Sequence, residues 1–84
     1  MRFDPADVTV RTGDTVVWVN KDLFAHTATA DGGAFDSKSI DPGGSWQLTP
    51  RTAGELTYIC ALHPTMKAMV RVKAAEEASR STVQ

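Results

Sequence analysis

Three residues that bind soft or borderline metal ions lie close together in the second half of the chain. Residues 58–70 read YICALHPTMKAMV, and Cys60, His63 and Met66 follow one another at intervals of three positions. A thiolate, an imidazole and a thioether on one short turn can converge on a single point, and Pro64 stiffens that turn by fixing its φ angle. Taken singly, each of these residues more often has a structural role, but together they indicate a soft-metal site.

A second histidine completes a ligand set that discriminates between metals. His26 follows the segment TVVWVN, whose β-branched and aromatic residues predict a buried strand with Trp18 as its core anchor. Cys60 ends another predicted strand, so in an antiparallel sandwich both residues can meet at the same end. Zinc prefers thiolate, imidazole and carboxylate, whereas two imidazoles, one thiolate and a distant thioether are typical of copper electron-transfer sites. The sequence thus predicts one copper ion, Cu(I) or Cu(II), held by His26, Cys60, His63 and Met66.

The elements that must position these ligands are predicted to be short β-strands. Apolar and polar residues alternate in VTV, SWQLTP, ELTYIC and MVRVK, and the turn segments DGGAFD and DPGGS separate them. In one of these strands Leu56, Tyr58 and Cys60 share a face by the period of two. Short strands between Gly- and Pro-containing turns predict an all-β sandwich or barrel. Residues 74–84, AAEEASRSTVQ, lack an apolar stripe, so we predict a domain over 1–73 and a polar tail over 74–84 that is solvated, frayed or weakly helical.

Composition excludes several functional classes. The chain has 84 residues and a net charge of −1, which predicts one soluble domain and argues against nucleic-acid binding, since nucleic-acid binders usually carry a basic excess. No apolar run is long enough to span a membrane. A single cysteine excludes an internal disulfide. The first ten residues, MRFDPADVTV, do not have the apolar region of a signal peptide.

Two segments of the chain resemble the cupredoxins, the small blue copper proteins. They are GDTVVWVN, which is followed by His26, and AGELTYICALHPTM, and the similarity extends from about Phe3 to Val72, closest to amicyanin- and plastocyanin-like members. The resemblance implies a Greek-key β-sandwich that lacks most of the first N-terminal strand. It implies equatorial copper ligands His26, Cys60 and His63 and the axial ligand Met66. It also implies a one-electron carrier that is not an enzyme and that works in the periplasm or elsewhere outside the cytoplasm.

The resemblance further implies how electrons leave the site. His63 would be the route to a redox protein partner such as a dehydrogenase, a c-type cytochrome or an oxidase. A small and mostly apolar patch around it suits a weak, transient redox contact. We expect this patch to contain Phe24, Ala25, Leu62, Pro64 and Thr65.

Three positions differ from the family pattern. Ala61 follows Cys60 where a threonine is expected, so Asn20, its expected partner, should bond instead to backbone or to the surroundings of His26. Leu62 replaces a proline, so its N–H is predicted to donate to the Cys60 sulfur. The first strand is short, so the chain is a piece of a longer one, the tail covers the gap, or an open edge pairs with a second copy to form a homodimer.

Other functions fit the same residues less well. The chain could be the copper domain of a larger oxidase or reductase, although it has no spare histidines for a second copper. A copper storage protein or chaperone favours several thiolates or methionines on mobile segments, whereas this site offers one thiolate. A cysteine hydrolase would need Cys60 exposed beside its base His63, and the end of a buried strand is poor geometry for that chemistry.

Overall fold

The computed structural model describes residues 2–74 and 80–83, and seven β-strands make up about half of the described residues. The prediction of an all-β protein is confirmed. One 3-10 turn, Asp31–Gly33, follows the third strand. The strands are β1 (Asp7–Arg11), β2 (Thr15–Val19), β3 (Thr29–Ala30), β4 (Ser45–Leu48), β5 (Gly54–Cys60), β6 (His63–Lys73) and β7 (Arg80–Val83).

The strands form two sheets, with the orders β1-β6-β5-β3 and β4-β2-β7. The antiparallel hairpin of β5 and β6 is the element that matters most for the site. Its register pairs Cys60 with His63, and a shift in the ladder lies between Ile59 and Cys60. The hairpin therefore holds the thiol and the second imidazole on opposite sides of a two-residue turn.

The core lies between the sheets and is built around aromatic rings. Trp18 is 2% exposed and Tyr58 is 1% exposed, and their rings meet edge to face at 5.5 Å. Phe35 contacts both of them. Alternate residues of β6 point inward, because Val70 and Val72 are both buried. These contacts make a stiff frame beneath the ligand-bearing end, as the strand pattern predicted.

The C-terminal segment differs from its prediction. Arg80–Val83 forms a strand that runs parallel to β2, with Val83 beside Trp18, and the Val83 side chain is fully buried. The prediction of a solvated or weakly helical tail is therefore wrong for these four residues, because pairing with β2 and burial of one valine outweigh the polar composition. Residues 75–79 and 84 lie outside the described residues, and the division at residue 73 stays a prediction.

Strand β7 is also relevant to the prediction that the N-terminal strand is short. β7 pairs with the side of β2 that faces away from β4. The structure thus shows the tail pairing along β2, and the idea that it takes the place of a longer first strand stays a prediction. Dimerisation through an open edge stays a prediction. Within residues 2–74 and 80–83, no helix is long and apolar enough to cross a membrane.

Candidate metal centre

The structure brings three of the four predicted ligands together at one end of the sandwich. One potential ligand atom each from His26, Cys60 and His63 lie within 4.8 Å of one another. Cys60 Sγ is 3.6 Å from His26 Nδ1, and the centroids of the two imidazole rings are 5.5 Å apart. Cys60 and His26 are buried, whereas His63 is half-buried. The site therefore has a shielded thiol and one imidazole near the surface.

His26 is fixed in orientation by a carboxylate. Asp22 Oδ2 lies 2.7 Å from His26 Nε2, and because a carboxylate can only accept, Nε2 carries the proton. The other nitrogen, Nδ1, faces the sulfur. A proton on Nδ1 can donate to the thiolate in the metal-free protein, and a metal ion would replace that proton on binding. The backbone of His26 exchanges two hydrogen bonds with Ile40, of 3.1 and 2.7 Å. Ring and backbone are thus both held before any metal binds.

The Cys60 thiol ionises more easily than a free cysteine. Burial raises its pKa, but four neighbouring groups outweigh burial and lower the pKa to about 6. These are the Thr27 N–H, which lies 3.4 Å from Sγ, the imidazoles of His26 and His63, and the Leu62 N–H. The Leu62 N–H is thus one of the groups that lower the pKa of the thiol, and its hydrogen bond to the sulfur stays a prediction. At neutral pH the sulfur is largely a thiolate, which is the form that binds metals.

His63 shows that the site suits a metal ion. Its Nδ1 atom is buried and has no hydrogen bond of good geometry within the described chain. A buried nitrogen without a partner costs about 1–3 kcal/mol, and a metal ion would satisfy its lone pair. An ionised thiol, an oriented imidazole and this nitrogen together form a donor set that copper accepts. The residues present therefore fit the metal that the sequence predicted.

Met66 lies at the same end of the molecule. It is on β6, three residues after His63, and is 5% exposed. Together with His26 it lines a cavity of about 300 Å³ on one flank of the site. Other residues lining this cavity are Arg2, Phe3, Asn20, Asp22 and Val83.

Asn20 bonds to backbone, as expected from the absence of a hydroxyl at Ala61. Its Nδ2 donates to the carbonyls of Phe24 and Ile40, both at 2.8 Å, and its Oδ1 accepts the N–H of Asp22 at 2.9 Å. Asn20 thus shapes the loop that carries His26. Sequence reasoning missed Asp22 itself, although a carboxylate four residues before a ligand histidine is a usable signal.

The loop before His26 and the turn before His63 expose apolar side chains. Leu23, Phe24 and Leu62 are the large hydrophobic residues that are exposed among those the structure describes, at 88%, 60% and 55%. Pro64 and Thr65 are also exposed, and Ala25 is half-buried. The predicted residues are therefore accessible to different degrees, and Leu23, which had not been predicted, is the most exposed apolar side chain near them.

Comparison with known proteins agrees with this site. Residues 1–73 match the family described as copper binding proteins of the plastocyanin/azurin family, and the chain belongs to that family. It is 30% identical over 78 residues to amicyanin from Paracoccus versutus, covering 87% of this chain and 59% of that protein. It is 38% identical over 72 residues to chloroplastic plastocyanin from Tetradesmus obliquus, covering 73% and 50%. The chain thus spans between half and three fifths of these relatives.

Solved structures confirm the cupredoxin fold. A reduced Cu(I) form of an amicyanin variant superposes with a TM-score of 0.82 at 27% identity, covering 87% of this chain and 74% of that one. A copper-containing nitrite reductase from Thermus scotoductus SA-01 superposes with a TM-score of 0.81 at 29% identity. That match covers 88% of this chain but 20% of the reductase. The fold therefore occurs both in small proteins and as part of a larger enzyme.

Proposed function

We propose that this chain is a type 1 copper protein that carries single electrons between redox partners. His26, Cys60 and His63 would hold the copper as its strong ligands, and Met66 is the proposed weak fourth ligand. The observation that carries the proposal is the convergence of two imidazoles and a thiol within 4.8 Å in a member of a copper-binding family. Two such nitrogens, one thiolate and a weak thioether form the ligand set of copper electron-transfer sites.

The protein's part in this function is to hold one geometry. Copper, once bound by these residues, would supply the one-electron chemistry of the Cu(I)/Cu(II) couple. The β5–β6 hairpin fixes Cys60 against His63, and Asp22 fixes the His26 ring. Burial of Cys60 and His26 keeps water away from the thiolate. A frame of this stiffness limits how far the ligands move when an electron arrives or leaves.

His63 is the proposed exit for electrons. It is the half-buried member of the ligand set. The exposed side chains of Leu23 and Phe24 lie in the loop before His26, and that of Leu62 lies in the turn before His63. We propose that a redox protein, such as a dehydrogenase, a c-type cytochrome or an oxidase, docks on this patch. A small apolar contact suits partners that must separate after each transfer. A periplasmic or otherwise extracytoplasmic location fits such partners.

The second candidate is the copper domain of a larger enzyme. The match to one fifth of a nitrite reductase supports it. Both histidines of the chain lie in the proposed site, so a catalytic copper would need ligands from elsewhere. Storage or chaperone function is less well supported, because the chain has one cysteine. The chain itself is therefore proposed to be a carrier and not an enzyme.

The test is titration of the purified, metal-free protein with Cu(II) while the visible spectrum is recorded. We expect one equivalent to produce an intense thiolate-to-copper band, which bleaches and returns with the transfer of one electron. Cys60→Ser should abolish the band. Met66→Leu should change its intensity or position, whereas the matched control Met69→Leu should not. A colourless protein, or a band that survives Cys60→Ser, would contradict the proposal.

A further inference from the structure

A chain of hydrogen bonds connects the peptide after Cys60 to a carboxylate at the surface. The N–H of Ala61 donates to Thr27 Oγ1 at 2.7 Å. Thr27 Oγ1 lies 2.9 Å from Thr29 Oγ1. The Thr29 hydroxyl donates to Asp36 Oδ1 at 3.3 Å. Three side chains thus extend from the thiolate-bearing segment to the exposed carboxylate.

The direction of every bond in this chain follows from the number of protons. Each threonine hydroxyl has one proton, and an ionised carboxylate has none to give. Thr29 gives its proton to Asp36, so Thr27 must donate to Thr29 and can only accept from Ala61. All three bonds therefore point toward the carboxylate, and bonds aligned in this way polarise and strengthen one another.

Asp36 is suited to be the end of this chain. The backbone N–H of Lys38 donates to the same Oδ1 atom at 2.9 Å, and Lys38 Nζ lies 3.4 Å from the other oxygen. The Lys38 N–H is the largest influence on the pKa of the carboxyl and lowers it. Desolvation opposes this, and the Lys38 charge adds to the lowering, so the net shift is downward. The carboxylate therefore stays ionised at neutral pH. The bond to Thr29 is the longest of the chain, which makes it the weakest link.

Thr27 also touches the sulfur directly. Its backbone N–H lies 3.4 Å from Cys60 Sγ, while its hydroxyl accepts the Ala61 N–H. The residue is therefore fastened to the thiolate segment at two points. Position 61 has no hydroxyl of its own, and Thr27 supplies one from the neighbouring segment.

We propose that Thr27, supported by Thr29 and Asp36, is a positioning residue that fixes the N–H contact on the Cys60 thiolate and thereby raises the reduction potential of the site. This inference rests on the proposed copper function. An N–H at the sulfur withdraws charge from the thiolate, and the reduced site has more negative charge there to stabilise. A looser contact should therefore favour the oxidised state.

Two measurements test this proposal, one with copper and one without it. The first is the reduction potential of the copper-loaded variants. The second is the hydrogen-exchange rate of the Ala61 amide in the metal-free protein, followed by NMR. Thr27→Val keeps the shape of the side chain but removes the hydroxyl, so we expect a lower potential and faster exchange. Thr27→Ser keeps the hydroxyl and should restore both values.

The outer members of the chain and a matched threonine complete the design. Thr29→Val and Asp36→Asn should shift both measurements in the same direction as Thr27→Val but by less, and they remain informative if Thr27→Val does not fold. Thr57 donates to Asp31 at 2.6 Å on the same sheet and has no bond to Ala61, so Thr57→Val should change neither.

The outcomes separate this proposal from the proposed function. Unchanged potential and exchange in the Thr27 and Thr29 valine variants would overturn it, and so would a drop in Thr27→Ser as large as in Thr27→Val. If the unsubstituted protein takes up no copper, the copper function and the claim about the potential both fail. The amide exchange then decides separately whether the hydrogen-bond chain exists.

Discussion

We predict that the hydrogen bond between Asp22 and His26 sets part of the reduction potential of the proposed copper site, and the variant Asp22→Asn measures that part. Asp22 Oδ2 lies 2.7 Å from His26 Nε2. Its negative charge favours the oxidised site, which carries one more positive charge than the reduced site. Asparagine can still accept the N–H through its own oxygen, so the ring keeps its orientation while the charge is lost. We therefore expect the potential to rise.

The size of the rise follows from the strengths of the two hydrogen bonds. A bond to a charged group contributes about 1.5–3 kcal/mol and one between neutral groups about 0.5–1.5 kcal/mol, a difference of about 1 kcal/mol. The Asp22 side chain is 51% exposed, so water screens roughly half of this difference. Since about 1.4 kcal/mol corresponds to about 59 mV for a one-electron couple, the expected rise is about 20 mV. The unscreened upper bound is about 40 mV.

The assay is a spectroelectrochemical titration of the copper-loaded protein at neutral pH. Glu55→Gln is the control for loss of one negative charge, because Glu55 lies five residues before Cys60 on β5, about 16 Å along the strand. At that distance moderate salt screens the charge, and no resolvable shift is expected. The reasoning is refuted if Asp22→Asn keeps the visible band but leaves the potential unchanged or lower. An equal rise in Glu55→Gln would show that net charge, and not the hydrogen bond, is responsible.

Three further predictions address the sulfur, the core and the C-terminal strand. Leu62→Pro removes the N–H that helps to lower the pKa of the Cys60 thiol and should lower the reduction potential, whereas Leu62→Ala keeps the N–H and should not; an unchanged or higher value in the proline variant contradicts this. Burial raises the pKa of Tyr58 from 10.0 to about 12, so its contribution to stability is complete below pH 10 and is lost as the pH rises toward 12. The melting temperature of Tyr58→Phe should therefore fall less over that range than that of the unsubstituted protein, and equal falls would argue against it. Val83→Ala should lower the free energy of unfolding in urea by about 1–3 kcal/mol, because Val83 is fully buried in β7; a change within about 0.5 kcal/mol would show that β7 adds nothing to the fold.

The ligand-bearing segment could be predicted in part from the sequence, because its signals are local. The prediction that His63 and Met66 lie on a turn is wrong, because the turn is two residues long and both side chains belong to β6. Alternation places Tyr58 and Cys60 on one face of a strand, and the spacing of His63 from Cys60 leaves room only for a tight turn. The type of each side chain then restricts the metal. Trp18 was likewise identifiable as a core residue, because a large aromatic among β-branched residues is seldom placed elsewhere.

The rest depends on contacts between distant segments. The polar tail gives no strand signal, and Arg80–Val83 is a strand because β2 offers it a free edge. The family pattern leads one to expect a residue with a hydroxyl at position 61, which is alanine here. The hydroxyl at this place comes instead from Thr27, which is 34 positions away and accepts the Ala61 N–H. No pattern in the sequence indicates that a hydroxyl from one segment replaces a hydroxyl expected in another. The contacts of Thr27 with Ala61 and Cys60 became visible only with the fold.

The most direct test of the central claim is X-ray absorption at the copper K-edge of protein loaded with one equivalent of copper. The proposed site predicts a short shell of one sulfur and two imidazole nitrogens in both oxidation states, with little change in the shell on reduction. Cys60→Ser should remove the sulfur from that shell. A shell of nitrogen and oxygen alone, or one with two or more short sulfurs, would contradict the account.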